Sequence, residues 1–272
     1  MGGARRSPSR RKSRREAQCR EAPKALCRKA KRDCSANILC ECREELDMFG
    51  KWSSTTKVIN GGNKVNIAHT KLSGALSKGE QTTAAEVVNT ARAYVNNAAN
   101  LVNAATWSDA TKAAAAACFL TPADGPNGAT KTLIKKVLTM TKTGISGQTT
   151  IKVGSSADAN GYVNLHRDLL HKFTSNKVTN LQTNKSEYVG SAHVDRAYID
   201  SGTENRPRAI LTFIHEATHR YAGTVDFDDK GYISATNYFA GNGIMFREPG
   251  LTAAEASINA DSYAVFIYQL HN

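Results

Sequence analysis

The sequence is poor in several things, and each lack excludes something. Its 272 residues contain no run of 18 apolar side chains, about the length a membrane-spanning helix needs, so no span is expected. Beyond Gly50 there is a single cysteine, Cys118, in an alanine-rich apolar stretch. A body built on internal disulfides is therefore excluded, and a buried free thiol is expected there. Residues 1–32 hold no aromatic side chain and only 2 acidic ones against 13 Lys and Arg. Without interleaved aromatics, that tail is not built to read a nucleic-acid sequence. Its start, "MGGARRSPSRRKSRRE", lacks the apolar core of a secretory signal peptide. Gly2 does not begin a myristoylation motif, because Arg6 stands where Ser or Thr is required. The compartment is left open between the cytoplasm and export without a signal peptide.

The formal charge of +12 belongs almost wholly to this tail. Residues 1–32 carry +11, and the remaining 240 carry 23 basic against 22 acidic groups. The body is near neutral, so any contact with nucleic acid is expected only through residues 1–32. A solvated basic extension, a nuclear-type address and a phosphate-binding arm all fit that composition. Cys19, Cys27, Cys34, Cys40 and Cys42 form no C-x-x-C pair, which argues against a zinc finger. A cysteine-bearing helical stripe or disulfides in an oxidising compartment remain open. Composition shifts near Gly50, which divides the chain into an extension, 1–50, and a domain, 51–272.

Within the domain, "KVINGGNKVNIAH" (57–69) alternates around a glycine-rich turn and predicts a hairpin. Thr83 and Glu86 have capping-box spacing, and a 3.6 period runs from Val87 to Ala105. Ser108 starts a second predicted helix through to Leu120. Leu133, Ile134, Val137 and Leu138 mark a third after the loop 122–128. Strands are predicted at 149–153, 161–166 and 191–200, and helices return towards the C-terminus. The expected class is α+β, mainly helical with a small sheet.

The chemistry concentrates in "IHEATHRYAGTVDFDDKGY" (214–232). Pro207 suits a first helical turn and Gly223 a stop, with apolar residues at 209–211, 213, 214 and 217 between them. His215 and His219 then lie one turn apart on one face, with Glu216 beside the first. This H-E-x-x-H pattern offers two zinc ligands and a general base. A catalytic zinc site needs a third protein ligand and an open position for water. Asp226, Asp228 and Asp229 follow His219 closely enough to supply that ligand. Further on, Leu251, Thr252 and Glu255 predict a capped last helix with Ile258, Asp261, Val265 and Tyr268 on one face. An aspartate on an apolar face wants a partner. Metal-bound histidines usually donate their second N–H to such a carboxylate, so Asp261 is a candidate for that role.

Together these residues resemble the aspzincin metallopeptidases, which pair H-E-x-x-H with a downstream G-T-x-D-x-x-Y-G. The carrying stretches are "HEATH" (215–219), "GTVD" (223–226) and "EPGLTAAEASINADSYAVF" (248–266). The likeness covers roughly 205–270 well and 51–204 only in general layout. It implies a zincin-like domain acting as a zinc metalloendopeptidase with one catalytic Zn2+, on a protein or peptide substrate. It implies His215, His219 and Asp226 as ligands, Glu216 as general base and Tyr232 as oxyanion stabiliser. The spacing departs at one place: the tyrosine stands six residues after Asp226 but three after Asp229. Read back from Tyr232, Asp229 is the ligand; the intact Gly223-Thr224-x-Asp226 turn favours Asp226. Ala264 stands where lysine-preferring relatives are expected to have an acidic residue. A preference for a basic side chain near the cleavage site would then fall to Asp261 or a spare loop aspartate. The competing reading is a non-catalytic nucleic-acid or surface-binding protein whose metal site is structural or inactive. A structural site would be closed by a fourth ligand such as His166, His171 or His193.

Overall fold

The computed structural model describes residues 52–58, 64–70, 74–154, 161–162, 165–166, 175–200, 205–228, 230–234, 238–239, 241, 243–244, 246 and 250–271. The expected boundary near Gly50, the basic extension and its five cysteines lie outside the described residues, as do Asp229 and His171.

The hairpin forms as expected. Strand β1 (Trp52–Val58) pairs antiparallel with β2 (Lys64–Thr70). Val65 and Ile67 of β2 alternate into the core, 0% and 1% exposed. Three helices follow: α1 (Lys78–Asn103), α2 (Asp109–Phe119) and α3 (Gly128–Ser146). They form the crossover that lets the next strand, β3 (Thr149–Gly154), lie parallel to β2. Next come β4 (Gly161–Tyr162), β5 (Leu165–His166), β6 (Asn176–Thr179), β7 (Ser186–Val189) and β8 (Ala192–Asp195). The larger sheet is mixed, in the order β1-β2-β3-β8-β4. β5, β7 and β6 make a second, antiparallel sheet. The chain ends with α4 (Arg196–Asp200), α5 (Arg206–Ala222), α6 (Ala253–Ala256) and α7 (Ala260–Gln269). The described residues thus form a mainly helical α+β unit with a small mixed sheet. No described helix is long and apolar enough to cross a membrane.

Four local expectations are corrected. The capping box of α1 is Ser77 with Glu80, not Thr83 with Glu86. Ser77 accepts from the Glu80 N–H at 3.1 Å, and Glu80 accepts from the Ser77 N–H at 2.7 Å. Glu80 is further fixed by Arg196 at 2.6 Å, whereas Glu86 lies inside the helix and pairs with Arg206. The stretch 161–166 is not one strand but two, in different sheets. The stretch 191–200 is a strand only to Asp195, whose carboxylate accepts from the Ala197 N–H at 2.8 Å and turns the chain into α4. The last helix is broken: Thr252 and Glu255 cap α6, but α7 begins only at Ala260. Ile258 therefore leaves the predicted face and packs with Val225, Phe227, Leu251 and Ala256.

Helix α5 is the centre of the core, packed against α1, α3, α7 and β8. Its apolar residues Ala209, Ile210, Phe213, Ile214 and Ala217 are all buried. Burial contributes about 1.5–3 kcal/mol for each large side chain among them. The approach of α3 is unusually close, since a Cβ on Gly144 would lie 2.1 Å from the Tyr221 ring. The Tyr221 hydroxyl, 2.9 Å from Thr149 Oγ1, joins α5 to β3 as well. Arg92 of α1 donates to the carbonyls of Ile145 and Gly147 at the end of α3, where a cation complements the helix dipole. The helix that carries the H-E-x-x-H residues is thus fixed on several sides by apolar packing. Cys118 is buried and unpaired with another cysteine, as expected.

Candidate metal centre

Pro207 occupies the first turn of α5 and Gly223 ends it at φ +74°. A side chain at 223 would also meet the carbonyl oxygen of Thr179, at 2.0 Å from a Cβ. Glycine is needed there for conformation and for space. The turn folds the chain back along α5. The Val225 N–H donates to Ile258 O, and the Ala260 N–H to Val225 O, each at 3.0 Å. This one-residue parallel bridge seats the return loop on the start of α7.

As a result, residues distant in sequence meet at one point. The Nε2 atoms of His215 and His219 are 3.1 Å apart. Asp226 presents Oδ1 at 3.4 Å from the first and Oδ2 at 3.3 Å from the second. Tetrahedral zinc with bonds of about 2.0–2.1 Å puts its ligand atoms about 3.3–3.4 Å apart, so the donor spacing suits that ion. Glu216 Oε1 lies 3.9 Å from His215 Nε2. His215, Glu216 and His219 are all buried, and Asp226 is the open side of the group, its side chain 36% exposed.

The other ring nitrogens fix the tautomers. His219 Nδ1 is 2.7 Å from the Thr224 carbonyl, which can only accept. His215 Nδ1 is 2.6 Å from Asp261 Oδ1. Both Nδ1 atoms therefore donate, and each neutral imidazole aims its Nε2 lone pair at the same point as the Asp226 carboxylate. Three converging acceptors repel one another unless a cation lies among them, which is the chemical sense in which this donor set fits a metal. In the metal-free chain a proton answers part of that demand. Burial opposes charge on His215, but Asp261 and Asp226 outweigh it and raise its pKa well above 6.5. Asp226, although burial works the other way, is held far below the usual carboxylate range by the two histidines. Burial pushes Glu216 up to about 7 against the opposing pull of His215 and His219. A carboxyl poised near neutrality suits a proton shuttle. Burial, with Asp226 adding, pushes the Tyr232 phenol up to about 12, so it keeps its proton. Its ring stacks on His215 at 6.1 Å and 16°.

Six of the seven site residues expected from sequence are described, and five of them, His215, Glu216, His219, Asp226 and Asp261, meet through polar contacts, with Tyr232 stacked against the group. Asp229 lies outside the described residues. Of the histidines considered as a fourth ligand, His193 is buried but does not join the donor group, and the side chain of His166 is not described. Two participants were missed. The Thr224 carbonyl orients His219, and its hydroxyl meets Thr218 Oγ1 at 2.8 Å. Asn259, fully buried, donates to Gly231 O at 2.8 Å. The one sequence signal for Asn259 was its place two residues before Asp261.

No protein-family model matches the chain, and no curated protein matches it. Among solved structures, a zinc peptidase from Grifola frondosa aligns with a TM-score of 0.45 at 16% identity. The alignment covers 71% of this chain and 96% of that one.

Proposed function

We propose that this chain is a zinc-dependent metalloendopeptidase of the aspzincin kind that the sequence resembles. The observation that carries the proposal is the convergence of two histidine Nε2 atoms and the Asp226 carboxylate at 3.1–3.4 Å, with Glu216 beside them. His215, His219 and Asp226 would hold one zinc ion. A zinc ion at such a point lowers the pKa of a bound water and polarises a carbonyl. Glu216 is the base: its carboxylate takes a proton from the attacking water and returns it to the leaving amine nitrogen. Its burial keeps bulk water from levelling that exchange. Tyr232, protonated across the neutral range, donates a hydrogen bond to the oxyanion that develops on the scissile carbonyl. Asp261 orients His215 through Nδ1, and the Thr224 carbonyl does the same for His219. The substrate is a protein or peptide; both oxygens of the buried Asp261 are taken by His215 and Ile233, so a preference for a basic side chain near the cleavage site falls to the aspartates of the loop.

Glu216→Gln is the deciding test. It should retain one zinc per chain and lose peptide cleavage by roughly 100- to 10,000-fold. Cleavage unaffected by the substitution, in digests of a peptide library followed by mass spectrometry, would refute the mechanism. Zinc bound with no cleavage by the wild type would favour a binding protein with an inactive site.

A further inference from the structure

Tyr232 is held from both sides by the start of α7. The carbonyl before it, Gly231 O, accepts from Asn259 Nδ2 at 2.8 Å. The amide after it, Ile233 N–H, donates to Asp261 Oδ2 at 2.7 Å. The other oxygen of Asp261 accepts from His215. Two side chains two positions apart thus grip the two peptide groups that flank one residue, and one of them also grips a histidine of the metal centre.

Asn259 is an odd residue to find doing this. It is the N-cap of α7, where an asparagine normally bonds the first-turn amides. Here it makes no such bond. Its Nδ2 reaches across to Gly231 and to Ser262 Oγ (3.1 Å) instead. Its Oδ1 is buried with no hydrogen-bond partner among the described residues, a costly state for an amide oxygen. The loop accepts the same constraint. A Cβ on Gly231 would lie 2.7 Å from Asn259 Oδ1 and 3.0 Å from Phe227 N. Gly231 has no room for a side chain beside Asn259.

We infer that Asn259 is a positioning residue for the reaction, acting through the Gly231 carbonyl to set the phenol of Tyr232 against the metal centre. This rests on the peptidase reading for its consequence but not for its geometry. Asp261 anchors one end of the Tyr232 backbone to the histidine, and Asn259 anchors the other to the helix. A phenol displaced by an ångström or so no longer meets the developing oxyanion, which costs turnover and not substrate binding.

The test uses the full chain and two readouts. In zinc-free protein with 13C-labelled tyrosine, the ring signal lost in Tyr232→Phe identifies Tyr232. Asn259→Ala should shift or broaden that signal and leave those of Tyr94 and Tyr188 in place. In the zinc-loaded enzyme, Asn259→Ala should lower kcat by roughly 10- to 100-fold with KM within about twofold. In the Tyr232→Phe background the same change should cost less than about threefold, because its effect runs through the phenol. A purely structural role would give losses that multiply, and would overturn the inference, as would an unmoved Tyr232 signal. If Asn259→Ala does not fold, Gly231→Ala disturbs the same contact from the loop side and carries the same expectations. If the wild type cleaves no peptide, the peptidase reading fails, and the tyrosine spectrum still decides the clamp.

Discussion

Asp261→Asn is the substitution whose effect can be worked furthest from the geometry. The carboxylate is 7% exposed and accepts two hydrogen bonds, from His215 Nδ1 at 2.6 Å and Ile233 N at 2.7 Å. Asparagine has the same shape but only one oxygen. If that oxygen takes the Ile233 N–H, the amide NH2 faces His215 Nδ1–H, donor against donor, and the imidazole must turn or change tautomer. If it takes His215, the Ile233 amide is left unpaired and the loop bearing Tyr232 loosens. One charge-assisted bond is lost either way, about 1.5–3 kcal/mol. Loss of such a partner behind a metal-bound histidine costs 10- to 100-fold in metal affinity, about 1.4–2.7 kcal/mol, which agrees. Competition for zinc against a chromophoric chelator, at fixed pH, measures it under native conditions. An affinity within threefold of wild type would refute the reasoning, because Asp261 would then not be orienting a zinc ligand.

Other outcomes are expected. Asp226→Ala should weaken zinc binding more than Asp261→Asn does, while Asp229→Ala should leave it within twofold; the reverse order would move the third ligand to Asp229. Zinc must displace the proton that Asp261 and Asp226 favour on His215. Its affinity should therefore rise with pH through neutrality, roughly tenfold per unit, and a flat profile would contradict the raised pKa. In the zinc-free chain, Glu216 binds its proton more tightly folded, at about 7, than unfolded, at 4.5. Its contribution to stability is complete below pH 4.5 and is lost as pH rises to about 7. Thermal unfolding should thus show Glu216→Gln gaining on the wild type across that window. Gly144→Ala would drive a methyl into the Tyr221 ring. It should lower stability by about 1–3 kcal/mol, more if α5 is displaced.

The helix of the candidate metal centre was readable because its information is local. Pro207, the apolar spacing from Ala209 to Ala217 and Gly223 state where α5 starts, which face it buries and where it stops. His215 and His219 then share a face by geometry alone. The cap of α1 was misplaced because Ser77 with Glu80 and Thr83 with Glu86 carry the same pattern six residues apart. Arg196, far along the chain, holds Glu80, and no local rule contains that pairing. The break before α7 was invisible for the same reason: Ile258 and Ala260 bond the Val225 backbone instead of continuing a helix. Asp261 was legible as a carboxylate in need of a partner. Asn259 was not, because a buried asparagine at a helix start reads as a cap until Gly231 is placed against it.

The bridge between Val225 and Asn259 has a consequence for how this chain can change in length. It places Val225 in one apolar cluster with Leu251, and the bond from Ile233 to Asp261 holds the other end, so the segment 234–250 is fixed where it leaves and where it returns. What lies between begins and ends at fixed posts. Its closure has already been met by the fold, and each doubling of its length adds only about 0.6 kcal/mol. Within it Phe246 bridges back to Ile233 and Tyr238 and Ile244 pack on the core, so added length is accommodated between those contacts and leaves the geometry of the candidate metal centre the same.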